Sequence, residues 1–141
     1  VGIVTDVIAA VCAAINAGLP GSAAAPWTGN LPDLTGQGVA LPALRVRFLG
    51  AQMEDQRMTS VTVRDRMTIQ VVAMDLDAEP GTGWTPAACA ELLIAVEPLL
   101  RDLIISDGRL IPQAIVDVLP ADIRGAAGYG LNVQWERYRR G

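Results

Sequence analysis

Few residue sets in this 141-residue chain have the types and spacing for chemistry. Gly81, Thr82 and Gly83 precede an apolar helical pattern, as the opening of a dinucleotide loop would, and backbone N–H groups at a helix N-terminus can hold phosphate. The third glycine position is Pro86, however, and no well-placed ribose-binding acid follows, so the segment reads as an ordinary loop. Asp75, Asp77 and Glu79 have the alternate spacing that begins a calcium loop. Pro80 stands where such a loop needs glycine and Pro86 where it needs its closing glutamate, which excludes an EF-hand and leaves a solvated acidic loop, or at most a weak divalent site.

Histidine is absent. That removes the commonest general base and the commonest metal ligand, and no Ser or Cys can be activated by an imidazole. Cys12 and Cys89 are isolated in apolar helical patterns, without CxxC spacing, and read as small core residues. We therefore expect no enzyme activity, no metal and no cofactor.

What remains is arginine on strands. From Val61 to Ala73, Val61, Val63, Met67, Ile69, Val71 and Ala73 share one parity, interrupted only by Asp65, and Thr62, Arg64, Arg66, Thr68 and Gln70 share the other. This is the period-2 pattern of a half-buried strand. Ala43 to Gln52 alternates likewise and, joined by the polar link 53–60, predicts an antiparallel hairpin with Arg45, Arg47, Arg64 and Arg66 on its outer face. Such charges are either solvated edge charges that discourage aggregation or a partner surface. Arg137, Tyr138, Arg139 and Arg140 form a basic tail, solvated or facing an acidic neighbour or a DNA backbone.

The elements that position these residues follow from periodicity. Ile3–Ala17 predicts a helix, capped by Thr5 or Asp6 and stopped by Gly18. Residues 18–42, with Pro20, Pro26, Pro32 and Pro42, have no period. They read as an extended arm docked on the domain or a neighbour through Trp27, or as a floppy linker. Thr85 and Pro86 start a second helix, which Pro98 is expected to kink or break near Ala95, giving helix to about Val96 and then a second short turn to Leu103. Arg109–Leu119 predicts a strand near a sheet edge because of Pro112, and Tyr129–Arg139 a final strand. The sum is an α+β domain over 1–141, in αββαββ order, with a mixed or antiparallel sheet of about four strands packed by two main helices.

Composition narrows the partners. The chain is 51% hydrophobic with aromatics at only 4%, which supplies base-stacking platforms poorly, and its net charge of −4 opposes nucleic-acid binding as the main task. Every basic residue is Arg, which a GC-rich coding bias explains more simply than function. No apolar run reaches membrane-span length and no secretory pattern opens the sequence, so a soluble protein made in the cytoplasm is expected.

The element order, the strand VTVRDRMTIQVVAMDLDAEP with its following loop and apolar helix, and the closing GYGLNVQWERYR together resemble the tail terminator proteins of tailed bacteriophages and gene-transfer particles. The resemblance implies a virion protein at the head–tail junction. There a homohexameric ring would cap the last ring of tail tube protein, end tail growth and meet a neck or head-completion protein, while DNA passes through its lumen without sequence-specific binding. Trp27, Arg45, Arg47, Arg64, Arg66, Asp75, Asp77, Glu79, Arg137 and Arg139 are the expected interface residues, with Arg64 beside Asp65 and the 75–79 loop supplying contacts of alternating sign. The alternatives are a neck or head-completion ring, another tube-associated component, or a small cytosolic ligand-binding or enzyme-accessory domain using the Gly81 loop.

Overall fold

A computed structural model describes residues 2–27, 43–56, 62–76, 87–118 and 126–140. In chain order these form α1 (Ile3–Gly18), β1 (Ala25–Pro26), β2 (Ala43–Gln56), β3 (Thr62–Leu76), α2 (Ala87–Leu100), β4 (Ile104–Ile105), β5 (Gly108–Asp117) and β6 (Ala126–Arg140). The strands make one sheet in the order β1-β2-β3-β6-β5-β4, antiparallel except for the β1/β2 pair. The fold is α+β as expected, and the four long strands and two helices keep the expected order. The sheet nevertheless has six strands rather than about four, because the two-residue strands β1 and β4 are added at its edges; pieces that short carry no readable periodicity.

Both helices lie on one face of the sheet. Val7, Val11 and Ile15 of α1 and Leu93, Val96 and Leu100 of α2 meet Val46, Ile69, Val71, Leu131 and Val133 in the main core, together with Cys12 and Cys89. Each fully buried aliphatic side chain contributes roughly 1.5–3 kcal/mol relative to exposure. Trp135 ties the β4 edge into this core, since its indole N–H donates to the Ile105 carbonyl at 2.8 Å.

Four local expectations are corrected. Helix α1 begins at Ile3 with Gly2 as N-cap and no side-chain cap, so neither Thr5 nor Asp6 caps it; Ile3 and Val4 pack on the core and draw the helix start forward. Gly18 does not stop α1 by a left-handed turn but is its last helical residue, where a Cβ would lie 2.5 Å from Leu99 Cδ2. Its smallness lets α1 and α2 approach. Helix α2 runs through Pro98 to Leu100; the hydrogen bond that proline removes lies in the last turn on an exposed face, where water can serve the freed carbonyl, and Arg101 N–H still reaches the Glu97 carbonyl at 3.1 Å. Strand β2 continues to Gln56, across part of the expected 53–60 link, because its backbone pairs with β3 as far as Gln56 and Thr62. Thr85, Pro86 and residues 28–42 of the arm lie outside the described residues.

Candidate functional site

The face of the sheet away from the helices collects the arginines. Successive register rows across β2, β3 and β6 read Arg45–Val72–Gly130, Arg47–Gln70–Asn132, Gly50–Thr68–Gln134, Gln52–Arg66–Glu136 and Glu54–Arg64–Tyr138. Arg109 of β5 extends the Glu136 row. The hairpin expectation holds in that Arg45, Arg47, Arg64 and Arg66 share this face. They do not stand opposite one another, however, because Arg45 and Arg47 lie farther from the β2–β3 connection than Arg64 and Arg66: Arg47 pairs with Gln70 and Arg66 with Gln52, and the bulge at Leu49, between Phe48 and Gly50, shifts the register by one residue and so brings Gln52 onto the face of Arg47.

Polar hydrogen bonds cross this face. Arg47 Nε donates to Gln70 Oε1 at 2.8 Å, and Gln70 Nε2 donates to Asn132 Oδ1 at 2.9 Å. Gln70 is 5% exposed, and Gly130 makes room for it, since a Cβ there would lie 2.5 Å from the Gln70 carboxamide carbon. Arg66 donates to Gln52 Oε1 at 3.1 Å, and Arg45 donates to the Leu44 carbonyl at 2.7 Å. Beside the bulge, Gly50, Gln52, Arg66, Thr68 and Gln134 line an open depression of about 390 Å³.

Trp27 sits at one end of the same face. Its backbone N–H donates to the Val46 carbonyl at 2.8 Å, its ring lies under the Arg47 guanidinium at 4.7 Å, and it packs on a small second core of Ala43, Val72, Met74 and Val118. Asn16 guides the chain there, since its side chain accepts from Ala24 N–H at 2.8 Å and donates to the Ala24 carbonyl at 3.1 Å. Trp27 thus docks against its own sheet.

The remaining expected residues are elsewhere. Arg137 and Arg139 are on the helix side, where both donate through Nε to Asp65 Oδ2, at 3.0 and 2.7 Å, and Arg137 also lies 5.2 Å from the Trp135 ring centroid. These two tail arginines are held in ion pairs. Asp65 is buried at 7% exposure, which withdraws it from the expected alternation with Arg64. Burial alone would push its carboxyl up, but hydrogen bonds and charge from Arg139 and Arg137 outweigh that and hold it below its ordinary value. Asp75 is at the opposite end of β3, in register with Ala127. Asp77, Glu79 and the Gly81–Gly83 loop lie outside the described residues.

Sequence reasoning did not single out Phe48, Leu49 and Met53 on β2 as exposed. Phe48 is 43%, Leu49 47% and Met53 72% exposed, while Tyr138, 56% exposed, is on the arginine face beside Arg64. Met53 faces the helix side in register with Asp65, so the helices do not cover this end. Alternation in ALRVRFLGAQ marks Phe48 as buried; only the absence of a covering helix reverses that. Among the described residues, no group of three His, Cys, Asp or Glu could hold a metal, and no helix is long and apolar enough to cross a membrane.

No known family model matches the sequence, and no curated protein matches it. Among solved structures, a chain described as "Virion of native gene transfer agent (GTA) particle" aligns over 98% of each chain, with 17% identity and a TM-score of 0.49. A likeness of that size leaves function to be read from this chain's own surfaces.

Proposed function

We propose that the chain is a structural subunit of a phage-like virion, specifically a tail terminator that closes into a hexameric ring, caps the tail tube and meets the neck. The observation that carries this reading is the exposure of Phe48, Leu49 and Met53 along β2, with Phe48 and Met53 on the helix side where the helices leave them uncovered. Large apolar side chains left exposed along one strand mark a surface that a partner covers. The absence of histidine from the sequence supports a non-catalytic role, and the resemblance of the β3 and β6 sequences to tail terminators supplies the assembly.

In such a ring the β2 end of one subunit meets its neighbour, and the sheet faces the lumen. A heterologous contact repeated around a closed axis gives this arrangement. Mass by light scattering, with and without the cognate tube protein, tests it. The reading expects a closed oligomer in at least one of the two samples, and Met53→Asp to abolish it; a monomer in both contradicts the ring.

A further inference from the structure

A heterologous contact joins two different patches of the subunit, and the β2 end is one of them. Apart from Tyr138, the large hydrophobic side chains that the described residues leave exposed collect at the two edges of the sheet. Phe48, Leu49 and Met53 stand on β2, and Ile94, Ile104, Ile115 and Val116 stand on or beside β5. Between α2 and β5 runs an open groove of about 390 Å³, lined by the exposed Ile94 and Ile115 and by the buried Pro112 and Leu131. Glu97 and Arg101 also line it. They pair with each other, so neither opposes an apolar guest.

We infer that this groove is the second half of the subunit contact and takes Phe48 of the next copy of the chain. Three observations select that occupant. Phe48, in register with Ile69, and Ile115, in register with Leu131, both lie on the helix side of the sheet, so the two patches face the same way. Register also sets their level along the strands, since Phe48, Ile69, Val133 and Pro112 fall in one row across the sheet. Rotation about an axis along the strands keeps each row at its level, and a ring that closes permits no displacement along that axis, so Phe48 arrives beside Pro112. Charge matches one level further on. Among the described side chains there, Arg137 and Arg139 share the single carboxylate of Asp65, which leaves one cation in excess. At the corresponding level of the other edge, next to the row of Arg109 and Glu136, the β4–β5 turn carries the exposed carboxylate of Asp107. Opposite signs at matched positions fix the register of a contact whose affinity comes from the apolar groups. The inference rests on the ring reading for its closed symmetry; the matching of the two edges belongs to the chain itself.

The test is mass by light scattering, under the condition in which the natural chain closes, on Ile94→Asp, on Phe48→Asp and on an equal mixture of the two. Each variant alone should lose the ring. In the mixture, the intact groove of Phe48→Asp accepts the intact Phe48 of Ile94→Asp, so one junction forms and the mass rises to two chains and no further. Circular dichroism shows that each variant is folded, and Phe48→Ser replaces Phe48→Asp if the charge unfolds it. A second readout is F48C/I94C treated with diamide, which should give a ladder of disulfide-linked chains up to the size of the ring, whereas either single cysteine variant should stop at two. Cys12 and Cys89 are buried and do not compete. A full ring formed by Ile94→Asp, a mixture that pairs no more than its components, a mixture that rebuilds the whole ring, or F48C/I94C rings that give no ladder each overturns the inference. If the natural chain closes and Ile94→Asp closes equally well, this inference alone falls; if the natural chain stays monomeric with and without tube protein, the ring reading falls and takes the inference with it.

Discussion

Asp65 and Arg139, 74 residues apart in sequence, meet with Nε 2.7 Å from Oδ2, and Arg137 shares the same oxygen at 3.0 Å. The carboxylate lies in the helix-side row between Met53 and Arg137, where it pins β3 to β6 beyond the reach of the helices. Hydrogen bonds to a buried charged group contribute more than neutral ones, so Asp65→Asn should destabilise the chain by about 2 kcal/mol in chemical denaturation.

The same pair sets an acid limit. Because the folded carboxyl titrates below its unfolded value, its stabilisation is fully present above about pH 4 and is lost as pH falls through the folded value. Denaturation midpoints of the natural chain should drop in that range. Those of Asp65→Asn should drop less.

At the alkaline end, burial pushes the Cys89 thiol up to about 11, with Asp75 adding to the shift. The folded value lies above the unfolded one, so the contribution is complete below about pH 9 and is lost as pH rises toward 11. Cys89→Ala should flatten the pH dependence there. Neither Cys89 nor Cys12, both buried and free, should react with a thiol reagent until the chain unfolds.

Glycine substitutions should separate two kinds of close contact. A Cβ on Gly108 would lie 2.1 Å from Trp135 Cε2, inside a ring fixed by its hydrogen bond to Ile105. Gly108→Ala should cost about 3 kcal/mol and shift tryptophan fluorescence. At Gly18 the nearest atoms are the ends of the Leu99 side chain, which can rotate away, and removing a helical glycine is itself favourable by up to about 1 kcal/mol. Gly18→Ala should stay within about 1 kcal/mol of the natural chain by the same measurement.

Pro98 forfeits one helical hydrogen bond in the last turn of α2 without ending it. Pro98→Ala should therefore raise the thermal midpoint, with a gain of about 1 kcal/mol. A loss would show that the proline shapes the packing of Leu100.

Parity made much of the sheet legible: Val63 to Ala73 and Leu131 to Trp135 alternate on the faces their sequence assigns, and Arg45, Arg47, Arg64 and Arg66 share one face. Register was not legible. The bulge at Leu49 and the continuation of β2 through Met53–Gln56 depend on backbone pairing with β3, which a polar run does not advertise. For the same reason Asp65 looked like an interruption of a buried face and Arg137 and Arg139 like a loose tail; the interaction that explains all three spans the β3–β6 ladder. Gln70 and Asn132 had the parity of surface residues, and only their juxtaposition with Arg47 makes them a hydrogen-bonded row.

The ring-capping claim is tested most directly by co-assembly with the cognate tail tube protein, with tube lengths measured by negative-stain electron microscopy. The account predicts that adding this chain arrests elongation and places extra ring density at one tube end, and that Met53→Asp abolishes both. Tubes that continue to lengthen, with no density of this chain at either end, would contradict it.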